Sequence, residues 1–94
     1  MNLRPIEIFV AVARYRSFSR AAERLHIAQS AVSIAVRRLE RELGVVLLHR
    51  TSRSVELTPA GQRYLSQVQP ALEQLALACR EARERDGDLR GVMS

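Results

Sequence analysis

Leu65, Val68, Leu72, Leu75, Cys79 and Ala82 follow one another at spacings of three, four, three, four and three residues. An apolar seam with that repeat belongs to a helix that lies along another helix. Thr58-Pro59 just before it is a helix start, with Thr as N-cap and Pro at the first helical position. The spacing predicts one helix from Pro59 to about Arg85, stopped by Asp86-Gly87-Asp88. About 27 helical residues extend roughly 40 Å, more than a domain made from the rest of the chain covers. The seam, widened by Ala71, Leu77 and Ala78, is therefore expected to pack on the same helix of a second chain, the alternative being its own domain. Pro70 deletes one backbone donor within the helix and predicts a kink. Cys79 lies on the seam as a small packing residue. It is the only cysteine, so no internal disulfide forms, which fits a reducing cytoplasm.

The first 58 residues hold shorter elements. Leu3, Ile6, Phe9, Val10 and Ala13 recur at helical spacing and predict a first helix of about three turns. Arg16-Ser17-Phe18 interrupts it. Ser19 is the expected N-cap of a short second helix from Arg20 to Leu25, with Ala21, Ala22 and Leu25 inward. After a turn at His26-Ile27-Ala28, a third helix is predicted from Gln29 to Leu43, with Gly44 as its left-handed cap. The period then changes. Val45 to His49 and Ser54 to Leu57 predict a two-stranded hairpin with its tip near Ser52.

Two helices joined by a short turn, the second with a polar outer face, describe a helix-turn-helix. On the third helix, Val32, Ala35, Val36, Leu39 and Leu43 share an arc of about 100°. Ser30, Ser33, Ile34, Arg37 and Arg41 share the opposite arc. Short hydroxyls near the start and cations further along suit a helix that meets base edges, although a solvated face carries similar residues. Ile34 either touches a thymine methyl from this arc or belongs to the core if the helical phase is one step off. Arg50 and Arg53 flank the hairpin tip, as in a wing that lies along the backbone and reaches the minor groove, or in an ordinary exposed turn. Arg4, Arg20 and Arg24 are weaker candidates for phosphate contacts.

Charge follows the same division. The net charge is +5, and every cation is Arg. Residues 1–58 carry ten Arg against five acids, and residues 59–94 carry five against five, so the excess sits where the helix-turn-helix is expected. The acids alternate with Arg at helical spacing and read as solvated ion pairs. Catalysis has little support: His26 and His49 lack ligand-spaced neighbours, and His26 is expected to cap or pack its turn. No glycine-rich phosphate loop, metal-ligand cluster, secretory signal or membrane-length apolar run is present.

The run Ser17-Phe18-Ser19-Arg20-Ala21-Ala22-Glu23-Arg24-Leu25-His26-Ile27-Ala28-Gln29-Ser30-Ala31-Val32-Ser33 resembles the helix-turn-helix of LysR-type transcriptional regulators. The resemblance continues through Arg37-Arg38-Leu39-Glu40-Arg41-Glu42-Leu43-Gly44 and covers nearly the whole chain. Leu47-Leu48-His49-Arg50-Thr51 and Leu57-Thr58-Pro59-Ala60-Gly61 resemble the family's wing and linker-helix start. It implies linker helices paired antiparallel between subunits and control of transcription by promoter binding. By position it implies that Gln29, Ser30, Ser33, Ile34 and Arg37 face the groove, that Arg50 and Arg53 are wing contacts, and that Thr58 to Gly61 approach the backbone. Three departures stand out: Ser30 in place of a common Pro, Ile34-Ala35 in place of Arg-Gln, and Leu48 in place of Phe. The second removes a usual base-reading cation. Gly87-Asp88-Leu89-Arg90 resembles the junction to a larger effector-binding domain, through which the family forms tetramers. The chain is thus expected to be an excised DNA-binding portion that does not itself bind the effector.

The expectation is a mainly α chain: a winged helix-turn-helix of three helices and a two-stranded wing over 1–58, a dimerisation helix over 59–86, and the start of a hinge over 87–94. Its helix-turn-helix spans Phe18 to Arg37, with Arg20 and Thr58 as further backbone contacts. The expected partners are double-stranded promoter DNA and a second copy of the chain, with no cofactor and no enzymatic activity. A non-specific DNA binder and a protein-interaction module built on the long helix are the competing classes.

Overall fold

The computed structural model describes residues 2–51 and 53–93. The elements are four helices, α1 (Arg4–Tyr15), α2 (Phe18–Leu25), α3 (Gln29–Leu43) and α4 (Pro59–Met93), with a wing of two strands, β1 (Leu48–Arg50) and β2 (Val55–Leu57), between α3 and α4. The strands pair antiparallel, Leu48 with Leu57, His49 with Glu56 and Arg50 with Val55. The expected tip near Ser52 lies outside the described residues. The wing is shorter than the hydrophobic run suggested. Val45 and Val46 are exposed in the approach to β1, and only Leu47 and Leu48 turn into the core.

Local chemistry sets several of the helix ends. Asn2 Oδ1 accepts the Arg4 N–H at 3.0 Å, and Pro5 follows at the start of α1. The cap of α2 is Ser17 rather than the expected Ser19: its Oγ accepts the Arg20 N–H at 3.1 Å. The helix therefore starts two residues earlier and carries Phe18 into the core. α3 has the expected bounds and ends on Gly44 at φ 74°. The stop expected at Asp86-Gly87-Asp88 is not made, and α4 continues to Met93. One Gly costs a helix only about 1 kcal/mol relative to Ala, and no Pro follows to enforce a break. α4 also passes through Pro70 as one helix.

The core draws Ile8, Phe9 and Val12 from α1, Phe18, Ala21 and Ala22 from α2, and Val32, Val36 and Leu39 from α3. Leu47, Leu48 and Val55 close it from the wing. On α1 the buried stripe is centred on Phe9 and Val12, while Ile6 and Val10 are only partly buried. This helix packs against α2, α3 and α4 together, so its inner face is wider than one periodic arc. Leu43, expected inward, is exposed. The first turns of α4 also belong to this domain. Tyr64 meets the Phe9 ring at 5.7 Å between centroids, and Leu65 packs beside it. Burial, with the Glu42 charge adding to it, raises the Tyr64 phenol above its usual pKa.

Candidate nucleic-acid interface

The turn between α2 and α3 is made by the backbone. His26 adopts φ 58° and ψ 43°, so the chain reverses through a left-handed residue without a glycine. The Ile27 N–H reaches Ala22 O at 3.1 Å and the His26 N–H reaches Glu23 O at 3.3 Å. That pair of bonds is a Schellman closure, and the capping expected of His26 comes from its backbone. α3 starts differently. Its N-cap is Ala28, which has no side-chain acceptor for the first-turn N–H groups. A helix start left open in this way attracts anions.

The polar arc of α3 lies outward as its spacing predicted. Gln29, Ser30, Arg37 and Arg41 are exposed, and Ser33 is half-buried. Ile34 is 59% exposed, which removes the alternative that it belongs to the core. Beside this face an open groove of about 510 Å³ runs between the α2 and α3 starts and the wing. Arg16, Arg50 and Arg53 line it with Ser19, Gln29 and Ser30, and no acid is among its lining residues. Arg16 escaped the sequence reading. It is the left-handed residue that ends α1, at φ 50°, and the Arg16-Ser17 break was its only signal.

The two wing cations differ. Arg53 is exposed in a turn that Thr51 organises: Thr51 Oγ1 accepts the Ser54 N–H at 2.9 Å and the Arg53 N–H at 3.3 Å. Arg50 is held in place. Its guanidinium carbon lies 3.7 Å from the Phe18 ring centroid, and its Nη2 donates to Ser33 Oγ at 2.8 Å.

The other candidates fall elsewhere. Arg20 is exposed on α2 outside the groove lining. Arg24 packs on the Tyr15 ring and donates from Nε to its hydroxyl at 3.0 Å, which lowers the Tyr15 pKa. Arg4 pairs with Glu7 at 3.7 Å. Thr58, expected to approach the DNA backbone, is held inside the protein. It is only 6% exposed, and its hydroxyl donates to Val46 O at 2.6 Å while accepting the Gly61 N–H at 2.9 Å. With both functions of the hydroxyl used inside the protein, Thr58 is the N-cap of α4 and a clasp on the wing.

Glu40 was read as a surface acid. It instead anchors the wing to α3, because its Oε2 accepts the N–H groups of Leu47 at 2.7 Å and Leu48 at 3.2 Å. Hydrogen bonds to a charged acceptor contribute roughly 1.5–3 kcal/mol. Glu40→Ala is expected to lower unfolding stability by about 3 kcal/mol, and Glu40→Gln by about 1 kcal/mol because an acceptor oxygen remains. Urea denaturation of the three proteins measures this, with faster amide exchange expected at Leu47 and Leu48. An unchanged midpoint in Glu40→Ala would remove the anchor from the account.

No helix among the described residues is long and apolar enough to cross a membrane. No group of three candidate metal ligands occurs among them. Residues 3–62 match the family of bacterial regulatory helix-turn-helix proteins, lysR family. An uncharacterized HTH-type transcriptional regulator of Sinorhizobium fredii, y4mQ, is 53% identical over 74 residues, which are 79% of this chain and 25% of that protein. The DNA-binding transcriptional dual regulator OxyR of Escherichia coli is 40% identical over 93 residues, 99% of this chain and 30% of that one. The chain thus spans 25% to 30% of the length of these relatives. Among solved structures, the BenM DNA-binding domain in complex with catB site 1 DNA superposes with a TM-score of 0.84 at 37% identity. That alignment covers 89% of this chain and 94% of the other.

Proposed function

Because the chain belongs to the LysR family of bacterial transcriptional regulators, we propose that it binds promoter DNA sequence-specifically, as a homodimer on a palindromic site, and regulates transcription by doing so. The observation that carries this reading is the groove free of acids, lined by Arg16, Arg50 and Arg53, that continues into the exposed face of α3. α3 enters the major groove, where Gln29, Ser30, Ser33, Ile34 and Arg37 form the reading edge. Arg53 follows the backbone towards the minor groove, and the open α3 start takes a phosphate. The solved complex of a similar domain with its DNA supports this placement. Residues 1–58 are then the DNA-binding unit and α4 the dimerisation helix. An effector-binding domain beyond α4, and tetramers built through it in the bacterial cytoplasm, are the matching proposal for the whole protein.

In vitro selection from random duplexes, followed by fluorescence anisotropy, tests this reading. Expected is a short palindrome bound well above random DNA at moderate salt. Equal affinity for every duplex, with only a steep salt slope, would establish a non-specific binder instead. On the selected site Arg37→Ala is expected to cost about 1–3 kcal/mol and to relax preference at one position. Uniform weakening on all sequences would assign Arg37 to phosphate.

Ile34 makes a separate prediction. A thymine methyl against it contributes about 0.8 kcal/mol, the value of one buried carbon group. Replacing that thymine with deoxyuridine is expected to weaken binding about fourfold for the native chain and not at all for Ile34→Ala. If no thymine in the half-site shows such a difference between the two proteins, Ile34 does not read a methyl.

A further inference from the structure

Arg50 and Ser33 are seventeen residues apart, on β1 and α3, yet the Arg50 Nη2 donates to Ser33 Oγ at 2.8 Å. The guanidinium carbon lies over the Phe18 ring, 3.7 Å from its centroid, so α2 helps to set its position. Three elements therefore converge on one serine hydroxyl. One of its lone pairs is taken, and no acceptor among the described residues takes its proton. The cation also polarises the hydroxyl: its O–H becomes a stronger donor, and its second lone pair becomes a poorer acceptor facing a positive charge.

We propose that Arg50 is a positioning residue that fixes Ser33 as a hydrogen-bond donor towards the major groove, so that the base facing Ser33 must present an acceptor. This rests on the reading of α3 as the helix in the groove. Guanine offers N7 and O6 there, adenine N7 and thymine O4, whereas cytosine offers an amino donor. A cytosine at that position places a donor against a polarised hydroxyl and a guanidinium. The remaining guanidinium N–H groups stay available to a phosphate, so one side chain sets both the backbone register and the polarity of the reader.

The test uses the selected site, scanned with base analogues that each lack one major-groove acceptor. These are 7-deazapurines, 2-aminopurine for guanine, and 5-methyl-2-pyrimidinone for thymine. One position is expected to show an affinity loss of about three- to tenfold in the native chain, the worth of one hydrogen bond. Ser33→Ala abolishes that loss. Arg50→Lys also reduces it to under about twofold with Ser33 intact, because an ammonium keeps the charge but not the guanidinium's contact with the ring and its directed N–H. The readout is the ratio of native to analogue site within each protein, so a general change in affinity does not enter it. A loss that persists in full in Arg50→Lys, or a site with no position where Ser33→Ala removes a penalty, overturns the proposal. Failure to select any preferred site overturns the reading of α3 itself, and this inference with it.

Discussion

Gly61→Ala is expected to destabilise the chain by about 3 kcal/mol, although helix propensity alone predicts a gain of about 1 kcal/mol for the same change. Gly61 lies in the first turn of α4, where a Cβ atom would stand 2.1 Å from the Leu47 carbonyl oxygen and 3.1 Å from Leu57 Cδ2. The carbonyl does not move cheaply. Leu47 is fully buried, and the same carbonyl accepts the Thr58 N–H at 3.0 Å. Relief of the clash has to lift α4 from the wing, which opens the Thr58 clasp and uncovers the seat of Leu47. Gly44→Ala is the contrasting case. A Cβ there meets nothing within 4 Å, and only the positive φ opposes it, at a cost of about 1–2 kcal/mol. Urea denaturation followed by circular dichroism measures both. A Gly61→Ala chain as stable as the native one, or more so, would mean that α4 does not press on the wing as described.

Leu75→Glu is expected to convert a dimer into a monomer and to lower affinity for the full palindrome at least about 100-fold. Leu75 is 46% exposed, on the seam that spacing marked for a partner helix. Leu65 packs on its own domain, so the seam open to a second chain begins beyond it. Leu75, Cys79 and Ala82 are all exposed. α4 extends about 52 Å at 1.5 Å per residue, and its own domain packs on its start through Tyr64 and Leu65. A glutamate in the seam places a charge where two helices would exclude water, and joining two half-site contacts in one dimer multiplies affinity by about 10²–10⁴ without any new contact to DNA. Sedimentation velocity on the free chain, and anisotropy on full and half sites, test both parts. A native chain that stays monomeric at concentrations where it fills the palindrome would sink the dimer proposal.

Local pattern decided much of the architecture. The bounds of α3 were legible because Gly44 supplies a left-handed cap and an apolar arc runs unbroken from Val32 to Leu39. The start of α4 was legible because Thr58-Pro59 carries its own capping chemistry. Periodicity also decided that Ile34 sits on the outer face, and the structure removed the alternative phase. All three are properties of a few consecutive residues, and residue spacing records such properties directly.

What the sequence left open depends on residues far apart in the chain. Arg50 reads as a wing contact, Thr58 as a helix cap near the DNA backbone, and Glu40 as a solvated acid. Spacing reports which face of an element a side chain occupies, not what another element brings to that face. Only the packing of α2, α3 and the wing lays Arg50 over Phe18 and against Ser33. Only the path from Gly44 to Leu48 returns two amides to the Glu40 carboxylate. Only the approach of α4 to the wing buries Thr58 and demands a glycine at position 61. The seam from Leu65 to Ala82 shows the same division. Its repeat by itself determined a helix that wants a neighbour, because heptad spacing sets a face. Tertiary structure decided that Leu65 is already taken and Leu75 is not, because that depends on where the domain ends along the helix.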